Sequence, residues 1–281
     1  MKTLLITGGS GFIGRNLVEQ LSSSYTIFSP SHSELDLTNS QVVDAFFQKN
    51  HIDVVIHAAY IGGNRKTPFI EDATEKNLQM FMYLARNEKN YQKMIYLGSG
   101  AEYDKSKPIV RVKEEEFYTS EPKDQYGMSK YLCSLMAKWF QKVTVLRLFG
   151  VYGKYEDKET RFISDAICTA LTGRPIQINQ NVTFDYLYID DLAEVVKDFI
   201  ENDRKDRVYN VGSGKPIDLF SIAKIIKEIA GIDYEIEIKK DGMGNEYTCD
   251  MERLSKEVIN LRFTPLEKGI QELYEWYKKT T

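Results

Sequence analysis

The chain has 281 residues, 42% of them hydrophobic and 28% charged, proportions of a folded globular protein that exclude collagen-like and disordered classes. At about 150 residues per domain there is room for two domains or one large one. Lys and Arg number 37 against 41 Asp and Glu, and the net charge of −4 is too mild to draw the chain to nucleic acid or to an anionic membrane.

In chain order, the first half alternates short β-rich runs with helical patterns. The runs are 3–7, 26–29, 53–57, 93–98 and 144–148, each near-continuously apolar, as expected of strands covered on both faces. Apolar residues at three and four spacing predict helices over 12–22, 40–49, 73–87 and 124–140. This order predicts an α/β fold, a Rossmann-type doubly wound parallel sheet, over residues 1–150. From residue 151 the chain turns Gly-, Tyr- and charge-rich, which predicts a smaller α/β substrate domain over 151–281, with 184–211 returning to the first. Helices are expected over 162–171, 190–201 and 218–230, the last two opening at Asp190 and Asp218 as N-caps, with Gly231 as a stop. The charge run Arg111-Val112-Lys113-Glu114-Glu115-Glu116 reads as a solvated loop. Cys133, Cys168 and Cys249 lie far apart, which predicts reduced thiols with no disulfide framework and no metal site. The first residues turn polar too soon for a signal peptide, and no apolar run nears the roughly 18 residues of a spanning helix, so a cytoplasmic protein is expected.

Thr7-Gly8-Gly9-Ser10-Gly11-Phe12-Ile13-Gly14 follows the first strand and opens the first helix. Gly8 permits the turn, Gly11 lets backbone amides approach a pyrophosphate at the helix N-terminus, and Gly14 lets helix and strand pack closely. Tyr126-Gly127-Met128-Ser129-Lys130 places a tyrosine and a lysine one turn apart on one helix face. A free phenol titrates near 10 and is a poor proton donor or acceptor at neutral pH, whereas a neighbouring ammonium favours the phenolate. Ser99 ends a predicted strand, where a doubly wound sheet presents its chemistry, and a hydroxyl there can stabilise a developing alkoxide.

The GxxGxxG turn, Ser99 and YxxxK in this order resemble the short-chain dehydrogenase/reductase superfamily. Arg147-Leu148-Phe149-Gly150-Val151-Tyr152-Gly153, Tyr188-Ile189-Asp190-Asp191-Leu192-Ala193 and Tyr209-Asn210-Val211-Gly212 point to its extended nucleotide-sugar branch, the NAD-dependent epimerase/dehydratase family. The resemblance covers nearly the whole chain. It implies Ser99, Tyr126 and Lys130 as catalytic residues, with Lys130 also touching the nicotinamide ribose. It implies a cofactor site of Gly8, Ser10, Gly11, Phe12, Ile13, Gly14, Ser29, His32, the adenine pair Asp36 and Leu37, the segment His57, Ala58 and Ala59, and Asn77. No carboxylate follows the second strand in Phe28-Ser29-Pro30-Ser31-His32, where NAD would have its ribose held, so NADP is expected over NAD. Arg15, one residue past the glycine turn, reads as a surface arginine.

Residues 58–63 and 97–99 are most similar to the GDP-L-fucose synthase-like 4-keto-sugar reductases. Where those place an epimerising cysteine and histidine, this chain has Ala101 and Arg161, so epimerisation at carbons 3 and 5 is not expected. Gly100-Ala101 stands where the branch's dehydratases have Asp-Glu, and dehydration is not expected either. The expected activity is NADPH-dependent reduction of the 4-keto group of a nucleotide-linked 4-keto-6-deoxy sugar. Its alternatives are a 4-epimerase that retains NAD and, in another class, a non-catalytic NADP-binding sensor or scaffold. Phe184 replaces the arginine that usually grips the diphosphate, which leaves Arg147, Arg161, Arg174 and Arg253, with Ser99, Gly100 and Ala101, as the substrate-binding candidates. The resemblance also implies a homodimer through a four-helix seam of 73–87 and 124–140, furnished by Met80, Phe81, Tyr83, Leu132, Leu135 and Trp139.

Overall fold

The computed structural model describes residues 1–62, 69–258 and 261–280; Gly63, the last residue of the segment 58–63 above, lies outside them. The first half runs β1 (Thr3–Thr7), α1 (Phe12–Leu21), β2 (Thr26–Phe28), α2 (Ser40–Lys49), β3 (Val54–His57), α3 (Ala73–Ala85), β4 (Lys93–Ser99), β5 (Ile109–Val112), α4 (Gln125–Ala137) and β6 (Val143–Leu148). Then come β7 (Val151–Tyr152), α5 (Phe162–Leu171), β8 (Gln177–Asn181), β9 (Thr183–Asp185), β10 (Leu187–Tyr188), α6 (Ile189–Glu201), β11 (Val208–Val211) and β12 (Pro216–Asp218). The chain closes with α7 (Leu219–Ala230), β13 (Glu237–Met243), β14 (Tyr247–Cys249), α8 (Glu252–Glu257) and α9 (Leu266–Thr280).

Six parallel strands form the main sheet in the order β11-β6-β4-β3-β1-β2. Side chains alternate across it. Leu4 and Ile6 face a core shared with α1, α5 and α6, while Leu5 faces one shared with α2, α3 and α4. Strand order reverses between β1 and β3, and the crevice beyond their C-terminal ends is where such sheets bind ligands.

A second sheet, β12-β9-β14-β5, completes the α/β architecture. β11, within the segment 184–211 expected to return to the first half, pairs with β6 in the main sheet, and the division at residue 150 is also crossed the other way, since β5 pairs with β14 in the second. The charge run is not a solvated loop. Arg111 and Val112 belong to β5, and the buried Glu114 accepts the Asn210 amide at 2.8 Å. Asp190 is not the cap of α6, which starts one residue earlier; its carboxylate accepts Gln20 Nε2 at 2.8 Å instead. Asp218 caps α7 as expected, and Gly231 ends it with a positive φ of 64°. Met80 and Phe81, expected in a seam between subunits, are buried in the core under α3, so they cannot furnish one.

Candidate active site

At the glycine turn the Gly11 amide donates to the Gly8 carbonyl at 3.0 Å, which closes the loop before α1. Gly8 has φ +71°, and a Cβ on it would lie 2.7 Å from the backbone of Ala59. A Cβ on Gly14 would lie 2.1 Å from the Gly8 carbonyl oxygen. Only glycine fits at both positions, and Gly11 caps α1 without a side chain, leaving the first amides, near Phe12 and Ile13, open toward the turn beside Ser10. This cradle fits a pyrophosphate at a helix N-terminus.

The neighbouring candidates surround the cradle in different states. Ser29 lies against the turn, so that a Cβ on Gly9 would meet its Oγ at 1.8 Å. His32 is 80% exposed, with its ring nitrogen 3.8 Å from Asp36. The Asp36 carboxylate accepts the Thr38 hydroxyl at 2.6 Å and amide at 2.9 Å, and these bonds hold its pKa below the usual carboxylate value. Leu37 is buried in the core. His57 lies 2.8 Å from the Thr7 hydroxyl, and burial, helped by the Lys130 charge, pushes its pKa down to about 3, so it stays neutral. Ala58 and Ala59 wall the turn behind Gly8. Asn77 clamps the Ile61 backbone at both ends, accepting its amide at 2.9 Å and donating to its carbonyl at 2.6 Å.

Beyond β4 the chain makes a short 3-10 turn, Gly100–Glu102, capped reciprocally: Ser99 Oγ accepts the Ala101 amide at 3.1 Å, and Glu102 accepts the Ser99 amide at 2.9 Å. Asp124 caps α4 by accepting the Gly127 amide at 3.0 Å. A Cβ on Gly127 would lie 2.5 Å from the Ala101 carbonyl oxygen, so the start of α4 is pressed against the serine turn. The half-buried Tyr126 and the buried Lys130 thus stand on the helix whose start packs against the serine turn. Lys130 Nζ donates to the Leu97 carbonyl at 2.7 Å and faces the rings of Tyr96 at 5.0 Å and Tyr60 at 5.2 Å. Tyr60 also meets Tyr126 edge to face at 5.0 Å.

Among the arginines the structure separates what sequence grouped. Arg147 is buried and ion-paired to Glu102, so its guanidinium holds the protein interior rather than a substrate phosphate. Arg253 pairs with Glu114 and Glu115 and donates to the Val208 carbonyl at 3.0 Å, which removes it from the substrate candidates as well. Arg174 donates to Thr172 Oγ1 at 2.9 Å on the exposed turn after α5. Arg161 differs: it is exposed at the start of α5, and its charge acts on Tyr247. Arg15 pairs with Glu19 and stacks on Tyr155 at 3.7 Å.

Four residues near the site escaped the sequence reading. Glu102 fixes the serine turn, and its signal was the three-residue spacing from Ser99 that a capping box requires. Gln125 pins the backbone of Ile70, accepting its amide at 3.0 Å and donating to its carbonyl at 2.7 Å. Tyr60 had no signal beyond its place after β3. Tyr247, from β14, packs its ring 4.8 Å from Phe149 and 5.7 Å from Phe184, and only the tertiary fold brings it here.

The model of the NAD dependent epimerase/dehydratase family matches residues 4–212. GDP-L-colitose synthase of Yersinia pseudotuberculosis is 26% identical over 257 residues, covering 81% of this chain and 82% of that one. Two solved structures share the fold: a GDP-mannoheptose C4 reductase from Campylobacter jejuni with NADP bound (TM-score 0.84, 21% identity, 99% and 98% coverage) and UDP-glucose 4-epimerase from Thermotoga maritima with UDP-glucose (TM-score 0.82, 23% identity, 99% coverage of both chains).

Proposed function

Because the chain belongs to the NAD dependent epimerase/dehydratase family, whose members modify nucleotide-linked sugars with a nicotinamide cofactor, we propose that it reduces the 4-keto group of a nucleotide-activated 4-keto-6-deoxy sugar with NADPH, without epimerising carbons 3 and 5. The observation that carries this reading is the content of the serine turn. Ala101 is buried where an epimerising cysteine would stand, and a side chain at position 100 would collide with the Tyr247 hydroxyl and the Phe149 ring, at 2.5 and 2.6 Å. With no acid or base at positions 100 and 101, and with the Glu102 carboxylate tied to the Ser99 amide and to Arg147, Ser99, Tyr126 and Lys130 are left to perform a carbonyl reduction.

The glycine cradle would hold the cofactor pyrophosphate, and Lys130 its nicotinamide ribose. When bound, the dinucleotide supplies hydride to the carbonyl carbon. Tyr126 gives its phenolic proton to the carbonyl oxygen, with Lys130 one helical turn further along α4. Ser99 donates a hydrogen bond to the same oxygen as negative charge develops there. NADP is favoured by the end of β2, where Ser29, Ser31 and His32 present hydroxyls and an imidazole to the ribose side. Glu34, exposed in that loop, is engaged locally, accepting the Ser31 amide and hydroxyl at 2.8 Å each. Arg161, exposed at the start of α5 with its charge felt at Tyr247, is the arginine this reading assigns to an anionic substrate.

The test is nicotinamide absorbance over time, with NADPH or NADH and a panel of nucleotide-linked 4-keto-6-deoxy sugars. Stoichiometric loss of NADPH is expected. No net loss, with 4-epimeric products formed from ordinary nucleotide sugars, would replace the reductase with an epimerase.

A further inference from the structure

Lys130 is a buried ammonium held without a carboxylate. Among the described residues its Nζ meets one oxygen acceptor, the Leu97 carbonyl at 2.7 Å, and no acidic side chain. A charge so placed is expensive to bury unless something else compensates it. Two rings do so here. The Tyr96 centroid lies 5.0 Å from Nζ and that of Tyr60 lies 5.2 Å from it, distances at which an ammonium is drawn to an aromatic face, the more strongly when water is excluded. Burial pushes the pKa of both phenols above the ordinary value, so the two rings are uncharged and attract through their faces alone.

Tyr96 is a core residue of β4, packed against His57 and Phe81. Tyr60 comes instead from the loop after β3, and the backbone around it is pinned on both sides. The Ala59 amide donates to Thr7 Oγ1 at 3.2 Å, and Asn77 grips the amide and the carbonyl of Ile61. Gly62 lets the ring fold back over the chain, since a Cβ there would lie 1.9 Å from Tyr60 Cε1 and 2.5 Å from its hydroxyl oxygen. So held, the same ring that faces Lys130 also meets Tyr126 edge to face at 5.0 Å. We propose that Tyr60 is a positioning residue: with Tyr96 it forms an aromatic cage that holds the Lys130 ammonium in place of a counterion, and by bearing on Tyr126 it fixes the two groups relative to each other. The use of rings has a chemical consequence. A carboxylate would neutralise the ammonium, whereas a ring carries a quadrupole and no net charge, so Lys130 keeps its positive charge for the site. The inference deepens the proposed function and rests on its assignment of Tyr126 and Lys130.

The test installs at position 60 phenylalanine carrying no, one, two or three fluorines. These rings are nearly isosteric, and each fluorine draws electron density from the face and weakens its hold on a cation. Urea unfolding of the protein without ligands is followed through the series, with Lys130 in place and with Lys130→Met. With Lys130 in place, the folding equilibrium constant is expected to fall stepwise, by about tenfold from Tyr60→Phe to the trifluorinated ring. In the Lys130→Met background the same series is expected to change it by less than about twofold, because the cation is gone. Equal slopes in the two backgrounds would overturn the proposal, since fluorine would then act through packing alone. A second readout needs no Lys130 variant: across the same series kcat is expected to fall by about tenfold, with KM for the sugar within about twofold. A kcat that does not change along the series would refute the positioning role. Coupling in the unfolding data without turnover of any sugar would uphold the cage and count against the reductase reading alone.

Discussion

Arg147 and Glu102 form a closed ion pair, Nε to Oε2 at 2.6 Å, with side chains 3% and 0% exposed. The other Glu102 oxygen accepts the Ser99 amide at 2.9 Å, and the guanidinium donates to the Tyr103 hydroxyl at 3.0 Å and lies 4.0 Å from the Phe117 ring. A strand arginine thus holds the serine turn from beneath. Arg147→Met strands a buried carboxylate, so we expect stability to drop by about 3–5 kcal/mol, the usual loss when one partner of a buried pair is removed. Thermal unfolding should show the midpoint falling by roughly 10 °C. Adding Glu102→Gln should recover part of the loss, because the stranded charge is then gone. An unchanged midpoint in the single variant would mean that the pair contributes nothing.

Tyr126→Phe removes the proton donor and leaves the glycine cradle intact. Turnover should fall by about 10²–10⁴, the usual contribution of a general acid, while NADPH affinity by fluorescence titration stays within twofold or so. Lys130→Met should lose both turnover and affinity, since the proposed function gives Lys130 a part at both the phenol and the ribose. Parent-like turnover in the first variant, or parent-like affinity in the second, would remove the corresponding role.

The parts of this site that were legible in the sequence are those whose meaning is local. The glycines of the phosphate turn are required by backbone approach within one loop, the strands of the main sheet are continuous apolar runs, and Tyr126 and Lys130 are one helical turn apart. Arg147 misled because a guanidinium suits a phosphate as well as a carboxylate, and only burial against Glu102 decides between them. Tyr247 was unreadable for a different reason. Its strand is short, lies far along the chain from Ser99, and gains its meaning from pairing with β5, a strand in a segment that reads as charged loop. Phe149, without a recognisable role in sequence, is the surface on which Tyr247 rests.

Gly14 offers a test of the cradle. A Cβ there would lie 2.1 Å from the Gly8 carbonyl oxygen and 2.7 Å from its carbon, backbone atoms that cannot swing aside. Gly14→Ala should therefore displace the turn, weaken NADPH binding by more than about tenfold and lower stability by about 1–3 kcal/mol. Calorimetric titration reads the first effect and thermal unfolding the second. Undiminished affinity would show that the dinucleotide does not depend on this turn.

Arg161 and Arg174 lie at opposite ends of α5 and should behave differently. Arg161→Ala, which removes an exposed cation at the start of α5, should raise KM for the nucleotide sugar about tenfold or more with little change in kcat, as expected when uniform binding is lost. Arg174→Ala, which breaks a single bond to Thr172, should leave both constants within about twofold of the parent. Steady-state kinetics on the two variants decide the matter, and equal effects would deny Arg161 any privileged place.

Glu156 is a buried acid with no part in the proposed chemistry. Its Oε2 accepts the Ser164 hydroxyl at 2.6 Å, and burial raises its pKa from 4.5 to about 7 despite that bond and the Arg161 charge. The folded state therefore holds the proton more tightly than the unfolded chain. The sign follows: the stabilising contribution is complete below about pH 4.5 and is lost as pH rises through about 7, because the unfolded state then carries fewer protons over that interval. Glu156→Gln keeps the shape and never ionises, so its advantage over the parent should grow between pH 5 and pH 8 to the order of 1–3 kcal/mol. Thermal midpoints of parent and variant, measured across that range, should diverge as pH rises. Parallel curves would mean that Glu156 ionises as freely in the folded protein as in the unfolded chain.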